Sequence, residues 1–397
     1  TGFGKTVVAL KAIRKRLDKV INIVVPTEAL FKQWRTRLFE EKLHSININI
    51  YVINTYTMTG KVEFPDPDLL IVDEAHRCLN EQSVYFSQLL QIAPNSKKLL
   101  LSASLDVKHK TFLDELGINT YYVVTSNWAF RHGLVPYHTA MNVPIDLTPV
   151  EMSDYLVAQD IIDKESKFFS GVGVYDPYAG YSADRIASMR GIPVGAVYGK
   201  MKKWRNAYDS RKQILYNASN KEVVLKEMLQ YVSEKAMIFC KSIDYVKKLA
   251  KSDLYGVQYH SKLKKAERTA ALESFFTNLY PRIYSVDSLK EGVDVPPDCR
   301  LVFRMAYEKN ERDTTQITGR ASRFDENNLE KESFMFNFFV RNFMARGREI
   351  QSKELDWLKS NQKSEYNVIW FDEADDAINF VKETFQKNET ADNILRS

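Results

Sequence analysis

Short apolar runs alternate along this chain with longer stretches in which apolar residues recur at every third or fourth position. The runs have the length of buried strands, and the stretches have the period of amphipathic helices. In the first third of the chain, this pattern predicts strands at 21–25, 48–53, 69–72 and 98–101, with helices at 7–17, 27–40 and 84–92. Strands that are connected by helices pair in parallel, so we predict an α/β fold with helices on both faces of the sheet.

The same alternation returns in the second half of the chain. It predicts helices at 221–232, 243–251 and 264–276, and strands at 236–240, 256–259, 282–286, 300–303 and 333–339. Charged helical material follows to the C-terminus. The chain is therefore predicted to contain a second unit of the same kind, which implies a cleft between two parallel sheets.

A glycine-rich segment separates the two units. Six of the 15 glycines lie between Gly171 and Gly199, a density that predicts an insertion or connector with long loops. A basic helix is predicted next, at 200–212, with Trp204 and Tyr208 one turn apart. Either these rings pack as a stripe with the basic residues in solvent, or the basic residues follow a nucleic-acid backbone.

The length of the chain supports a division into domains, because 397 residues exceed what one compact core organises. We predict a first domain over 1–135, a connector and insertion over 136–217, and a second domain over 218–345. A C-terminal helical tail is predicted over 346–397.

Composition narrows the class of protein. Hydrophobic residues make up 44% and charged residues 27% of the chain, as in ordinary globular proteins. The net charge of +5 permits an anionic partner without requiring one. Three widely spaced cysteines predict neither a disulfide framework nor a zinc site, and they fit a reducing cytoplasm. Since no apolar run approaches the ~20 residues that cross a bilayer, no membrane partner is expected.

The first residues have the pattern of the end of a phosphate-binding loop. Gly2 and Gly4 let backbone N–H groups point at phosphate oxygens, and the helix that follows adds its positive end. Lys5 can reach the β- and γ-phosphates of ATP, and the Thr6 hydroxyl can bind Mg²⁺. A glycine turn that merely precedes a helix is the simpler alternative. Because such a loop normally follows a buried strand, we expect a strand upstream of Thr1 in a longer protein.

Two carboxylates follow the apolar strand at 69–72. Ligands of parallel sheets bind at the carboxyl ends of the strands, which is where these two residues fall. Asp73 is predicted to hold Mg²⁺ through water, and Glu74 to orient and deprotonate an attacking water. The alternative is that both only cap the next helix. The Gly-Lys-Thr sequence upstream favours a nucleotide site.

With these two motifs in place, the chain resembles the superfamily 2 helicases. Five segments occur in the order of the motifs of that family, namely GFGKT, VVPTEALFKQW, IVDEAH, LLSAS and QITGRASR. The second segment, which ends at Trp34, is similar to the branch of phage branched-DNA helicases, XPB-type repair helicases and restriction-enzyme motor subunits. The resemblance covers most of the chain apart from about 169–200 and the C-terminal end. It implies two tandem RecA-like P-loop domains with an inter-domain insertion, and ATP and Mg²⁺ as cofactors.

The resemblance also implies contacts between this chain and the backbone of a nucleic acid. The residues concerned follow strands or begin helices, and they are Pro26, Thr27, Thr55, Tyr56 and Ser242. Helix N-termini and hydroxyls suit phosphate contacts, which position a strand without reading its sequence. Ordinary helix caps are the alternative at these positions.

A coupling role between hydrolysis and strand movement is implied for Ser102 and Ser104, which stand where the family more commonly has Ser-Ala-Thr. Their hydroxyls can bond to His76 or to a carboxylate of the Asp-Glu-Ala-His motif. A generic turn at the end of a strand is the alternative.

The resemblance implies that the second unit completes the ATP site. A spacing of three puts Arg320 and Arg323 on one face of a helix, from which they can neutralise charge that develops on the γ-phosphoryl group. Gln316 resembles the glutamine of the family that contacts phosphate or water. Gly292 would permit close approach of the backbone, and Asp294 could orient the arginines or the ribose. A solvated basic helix is the alternative for the arginines.

The function implied is that of an ATP-dependent helicase or translocase with 3′→5′ tracking, acting on DNA in preference to RNA. One alternative is a motor that moves on double-stranded DNA without separating the strands. The other is an inactive fold that only clamps nucleic acid, against which Lys5, Asp73, Glu74 and the two arginines argue. The residues that form the motifs are typical of phage proteins, which would place the protein in the cytoplasm of the host cell.

Overall fold

The computed structural model describes residues 4–43, 47–53, 66–77, 95–102, 110–111, 113–114, 118, 122–124, 126–178, 182–286, 295–306, 328, 331–362 and 367–396. Two larger sheets organise these residues, and every strand pair in both sheets is parallel. The predicted α/β class with parallel sheets is therefore confirmed. None of the described helices is long and apolar enough to cross a membrane.

The first sheet has four strands in the order β2-β1-β3-β4. The strands are β1 (Ile21–Val25), β2 (Ile48–Val52), β3 (Leu69–Val72) and β4 (Lys97–Leu100). All four begin and end within one residue of the predicted limits. The two central strands, β1 and β3, are buried along their whole length, which explains why all their residues except Asn22 are apolar.

Two helices cover one face of this sheet, α1 (Lys5–Arg14) and α2 (Glu28–Glu40). The apolar faces of both helices share one core with alternate residues of β1 and β3. This core therefore fixes both helices relative to the carboxyl ends of the two buried strands. The helix predicted at 84–92 lies outside the described residues.

The second sheet has seven strands in the order β13-β5-β10-β9-β6-β8-β7. In chain order they are β5 (Tyr137–Ile145), β6 (Ala236–Phe239), β7 (Gly256–Tyr259), β8 (Arg282–Ser285), β9 (Leu301–Arg304), β10 (Glu332–Val340) and β13 (Val368–Trp370). The connecting helices include α7 (Ser219–Leu229), α8 (Ile243–Lys251) and α9 (Lys265–Phe276). The five strands predicted for this unit are present, again within one residue of the predicted limits.

The segment that was predicted to contain long loops is largely helical. After a short helix α3 (Ser126–Arg131) and β5, the chain forms α4 (Pro149–Ser170), α5 (Ala183–Arg190) and α6 (Val194–Tyr216). The prediction took the glycines as a sign of long loops. Gly191 instead ends α5, in the left-handed conformation that suits a helix C-terminus. The prediction of long loops over 171–199 is therefore wrong for the described residues of α5 and α6.

The basic helix predicted at 200–212 is part of α6, and its rings pack. Trp204 is only 8% exposed, stacks on Tyr208 with ring centroids 5.1 Å apart, and donates its indole N–H to Ser166 Oγ at 2.9 Å. Lys202 and Lys203 are exposed. Of the two interpretations, packing of the aromatic stripe is confirmed, while a nucleic-acid contact of the lysines stays a prediction.

The C-terminal segment is not only helical. A hairpin of β11 (Phe343–Ala345) and β12 (Arg348–Ile350) precedes α10 (Lys353–Asn361), β13 and α11 (Ala374–Arg396). β13 pairs with β5 at the edge of the second sheet. Its three residues are too few to show a period of two, which explains why the strand was not predicted.

Candidate active site

Gly4 shapes the end of the candidate phosphate loop. It stands at the N-cap of α1 with φ 79° and ψ 18°, a left-handed conformation that glycine adopts without steric cost. The first turn of α1 then presents Lys5 and Thr6, both half-buried. Among the described residues no side chain caps this helix, so its first N–H groups suit contacts to an anion. Gly2 lies outside the described residues.

Lys5 lies against the acidic turn that follows β3. Its Nζ atom is 3.0 Å from Glu74 Oε1, and the two side chains are 21% and 18% exposed. The structure thus brings together two predicted site residues from the helix after the loop and the end of a central strand. An ion pair this close, partly shielded from water, holds the lysine over the carboxyl edge of the sheet.

Asp73 is almost fully buried, at 7% exposure, and both of its carboxylate oxygens accept hydrogen bonds. Trp34 Nε1 donates to Oδ2 at 3.0 Å, and the backbone N–H of Glu74 donates to Oδ1 at 2.9 Å. The backbone N–H of Asp73 donates to the Val24 carbonyl at 2.9 Å, which continues the pairing of β3 with β1. Burial raises the pKa of Asp73, although the Trp34 hydrogen bond and the charge of Lys5 act in the opposite direction.

Glu74 adopts a backbone conformation that is uncommon for a residue with a side chain. Its φ is 51°, in the left-handed region, which costs roughly 1–2 kcal/mol outside glycine. The next residue, Ala75, donates its N–H to the Leu101 carbonyl at 2.8 Å and starts a 3₁₀ turn, Ala75–Arg77. Burial by itself would raise the pKa of Glu74, but the charges of Lys5 and His76 lower it overall. Glu74 is therefore ionised at neutral pH, as a general base must be.

His76 connects this turn to the end of β4. Its ring is fully buried, with Nδ1 at 3.0 Å from Ser102 Oγ and at 3.3 Å from Glu74 Oε2. Ser102 follows β4 by two residues. The contact between Ser102 and His76 that the resemblance implied is thus present. Ser104, the second residue of that predicted pair, lies outside the described residues.

Two residues predicted to touch nucleic acid are helix caps in equivalent positions of the two sheets. Thr27 follows β1 and accepts the N–H of Leu30 at 3.3 Å, while Ser242 follows β6 and accepts the N–H of Tyr245 at 3.2 Å. The alternative of helix capping is therefore correct for both hydroxyl oxygens. A capping hydroxyl still has its own O–H to donate, so capping is compatible with a phosphate contact. Pro26, just before Thr27, is buried.

The strand that leads to the predicted arginines is anchored by a buried ion pair. Lys221 Nζ donates to the Met305 carbonyl, just after β9, at 2.8 Å, and to Glu354 Oε1 and Oε2 at 3.0 and 2.8 Å. Glu354 Oε2 also accepts the N–H of Val340, at the end of β10, at 2.9 Å. Burial lowers the pKa of Lys221, and the adjacent Glu354 opposes that shift. The carboxyl ends of β9 and β10 are therefore tied together.

The remaining predicted site residues lie outside the described residues, namely Thr55, Tyr56, Gly292, Asp294, Gln316, Arg320 and Arg323. Around Asp73, sequence reasoning missed the hydrogen bond that Trp34 donates. A signal for it existed, because Trp34 lies in a predicted helix and a tryptophan that becomes buried there needs a partner for its indole N–H. The sequence did not indicate which partner that would be.

The geometry defines a class of protein. A lysine at the N-terminus of a helix, paired with an acidic residue at the end of a buried parallel strand, is the arrangement of P-loop nucleoside triphosphatases. Comparison with known families agrees with this class. Residues 1–106 match the family described as type III restriction enzyme, res subunit, and residues 220–325 match the family described as helicase conserved C-terminal domain.

Solved structures with the same fold extend over nearly the whole chain. The helicase domain of Hef from Pyrococcus furiosus is 15% identical, with a TM-score of 0.57 over 91% of this chain and 93% of that one. Dbp5 from S. cerevisiae, bound to RNA and ADP BeF3, is 12% identical, with a TM-score of 0.55 over 91% of this chain and 80% of that one. No curated protein sequence matches the chain. The two halves of the chain thus match helicase-type family models, and the fold is that of two tandem RecA-like helicase domains.

Proposed function

We propose that this protein is a motor that couples ATP hydrolysis to movement along DNA and to separation of its strands, with 3′→5′ polarity. The observation that carries the proposal is the 3.0 Å ion pair between Lys5 and Glu74, because it joins the phosphate-loop lysine to the candidate base. The helicase families that match both halves of the chain support it. Action in a cytoplasm, that of a host cell if the protein comes from a phage, belongs to the same proposal.

The described residues fit Mg²⁺ and ATP as the cofactors of this reaction. The Thr6 hydroxyl and the Asp73 carboxylate offer the oxygen ligands that Mg²⁺ prefers. Lys5 and the uncapped first turn of α1 suit the phosphates. Mg²⁺ neutralises phosphate charge when it is bound. In this arrangement Glu74 orients the attacking water and accepts its proton, while His76 and Ser102 hold the acidic turn against β4.

DNA is proposed as the track because of the family that matches the first domain. That family is described as a subunit of restriction enzymes, whereas one structural neighbour, Dbp5, is described as bound to RNA. The same match favours a second candidate function, a motor that moves on double-stranded DNA without separating the strands. A clamp without ATPase activity is not favoured, because Lys5 pairs with Glu74, whose backbone N–H in turn donates to Asp73.

The proposal is tested by measuring ATP turnover and strand displacement together. Turnover is expected to require Mg²⁺ and to rise when forked or four-way DNA is added to the full-length protein. Displacement of the shorter strand from forked DNA is expected in the same reactions, with weaker activity on RNA duplexes. Turnover on duplex DNA with displacement of a bound third strand, but without unwinding, would establish the second candidate. An absence of nucleic-acid-stimulated turnover would contradict both candidates.

Binding to nucleic acid is expected to depend steeply on salt and little on sequence. The reason is that Thr27 and Ser242 stand at helix N-termini, which suit contacts to phosphate groups. Each neutralised phosphate should contribute a slope of about −0.7 to −0.9 to log K against log salt concentration. Fluorescence anisotropy over a salt series, with several scrambled oligonucleotides of one length, measures both dependences. A salt-insensitive affinity, or a strong preference for one sequence, would contradict this expectation.

A further inference from the structure

Trp34 is a buried residue whose polar atom reaches the candidate metal site. Its side chain is only 2% exposed and shares the apolar core beneath α1 with Leu10, Ile13 and Leu38. Within that core its indole N–H donates to Asp73 Oδ2 at 3.0 Å. A buried indole N–H needs an acceptor, and many tryptophans meet this need with a backbone carbonyl. Here the acceptor is the carboxylate that is proposed to hold Mg²⁺.

The hydrogen bonds on Asp73 fix the orientation of its carboxylate. One oxygen accepts the indole N–H of Trp34, and the other accepts the backbone N–H of Glu74. A carboxylate has about four lone-pair sites, so each oxygen retains one for a metal ion or for water on that ion. Mg²⁺ requires nearly ideal octahedral geometry, so a carboxylate that is already oriented binds it better than one that rotates freely.

Trp34 also connects Asp73 to a different helix from the one that carries Lys5. α2 begins just after Thr27, and Trp34 follows Thr27 by seven residues, about two helical turns. The indole N–H is therefore a direct polar contact between α2 and the carboxyl end of β3. Phenylalanine or leucine could also fill this part of the core, but neither side chain has an N–H to donate.

We propose that Trp34 is a positioning residue of the magnesium site, which holds Asp73 in the orientation that binds Mg²⁺. This inference rests on the proposed function and adds to it a residue outside the phosphate loop and the acidic turn. Outer-shell partners of metal ligands typically contribute 10- to 100-fold in metal affinity. Trp34→Phe keeps a six-membered aromatic ring in the core and removes the smaller ring that carries the N–H. Trp204→Phe is the matched control, because Trp204 is also buried and donates its indole N–H, but to Ser166.

The experiment measures equilibrium binding of a fluorescent ADP analogue to the full-length protein while the Mg²⁺ concentration is raised. Trp34→Phe is expected to need about 10-fold more Mg²⁺ for half-saturation, whereas Trp204→Phe should follow the wild-type curve. Thermal unfolding of the metal-free proteins separates this effect from loss of stability. A folded Trp34→Phe variant with the wild-type Mg²⁺ curve would overturn the role of Trp34, whatever its stability.

A second measurement needs no folded variant. In wild-type protein labelled with ¹⁵N-tryptophan, the indole N–H resonance of Trp34 is expected to shift when Mg²⁺ joins bound ADP, while that of Trp204 stays in place. A Trp34 resonance that does not respond to Mg²⁺ would overturn the role. Wild-type protein that binds nucleotide without any dependence on Mg²⁺ would overturn the proposed function itself. The two failures are therefore distinguishable.

Discussion

Replacing Glu74 with glutamine is expected to lower ATP turnover by at least about 10²-fold while ATP binding remains intact. Glutamine has the size of glutamate, and its amide oxygen can still accept the Lys5 hydrogen bond that the structure shows at 3.0 Å. It cannot accept a proton from water at neutral pH. The loss should therefore appear in the rate at saturating ATP and not in the affinity for nucleotide.

The measurement is steady-state turnover with saturating DNA and Mg²⁺, beside an independent binding assay for ATP. Glu40→Gln is the matched control, because Glu40 is an exposed carboxylate of the same domain that pairs with Arg37 on the surface of α2. Its replacement should leave both quantities within the error of the wild type. Turnover at the wild-type level in Glu74→Gln would remove Glu74 from the mechanism.

Replacement of Arg323 with alanine is expected to reduce turnover by about 10³-fold with little change in binding of ATP or nucleic acid. An arginine that reaches the γ-phosphoryl group from the second domain stabilises charge that exists only in the transition state. Arg323→Lys should recover little activity, because a point charge cannot reproduce the planar, forked guanidinium. Arg320→Ala should show a similar collapse if both arginines face the nucleotide.

A matched control for the arginines is Arg346→Ala. Arg346 also belongs to the C-terminal half and forms a two-pronged pair with Asp160, at 2.7 Å for each nitrogen, but both side chains are exposed. Its loss should change turnover very little, since exposed ion pairs contribute about 0–1 kcal/mol to stability. Undiminished turnover in Arg323→Ala would contradict the role of that residue. The same result in Arg320→Ala would remove the shared-cleft mechanism.

The sequence predicted closely the limits of those helices and strands that are set by neighbouring residues. β1 and α8 match the predicted limits to the residue, because Pro26 stops the strand and Ser242 caps the helix. The sequence also predicted that Lys5 and Glu74 belong to one nucleotide site, since both motifs have a fixed place at the edge of a parallel sheet, and the structure brings the two side chains together. In these cases neighbouring residues carry the information.

Elements that depend on distant partners were missed. β5 contains Asn142, a polar residue that is unexpected in a buried strand. Its side chain donates to Gln362 at 2.7 Å and accepts from Asn337 at 3.1 Å, and these partners lie 220 and 195 residues away. No local pattern could indicate that this amide is satisfied in the core. The bond between Trp34 and Asp73 was missed for the same reason, because it joins a helix to a strand 39 residues later.

The order of elements in the second sheet decides to which domain the helices α4 to α6 belong. β5 already pairs along its whole length with β10, and the helices α4 to α6 follow β5 before the chain returns to the same sheet through α7 and β6. The helical segment thus leaves the second sheet after β5 and returns to the same sheet at β6. Along the chain, the first sheet is therefore connected to the second by the segment between β4 and β5, and not by these helices. In any movement of one sheet against the other, the helices α4 to α6 are therefore expected to move with the second sheet.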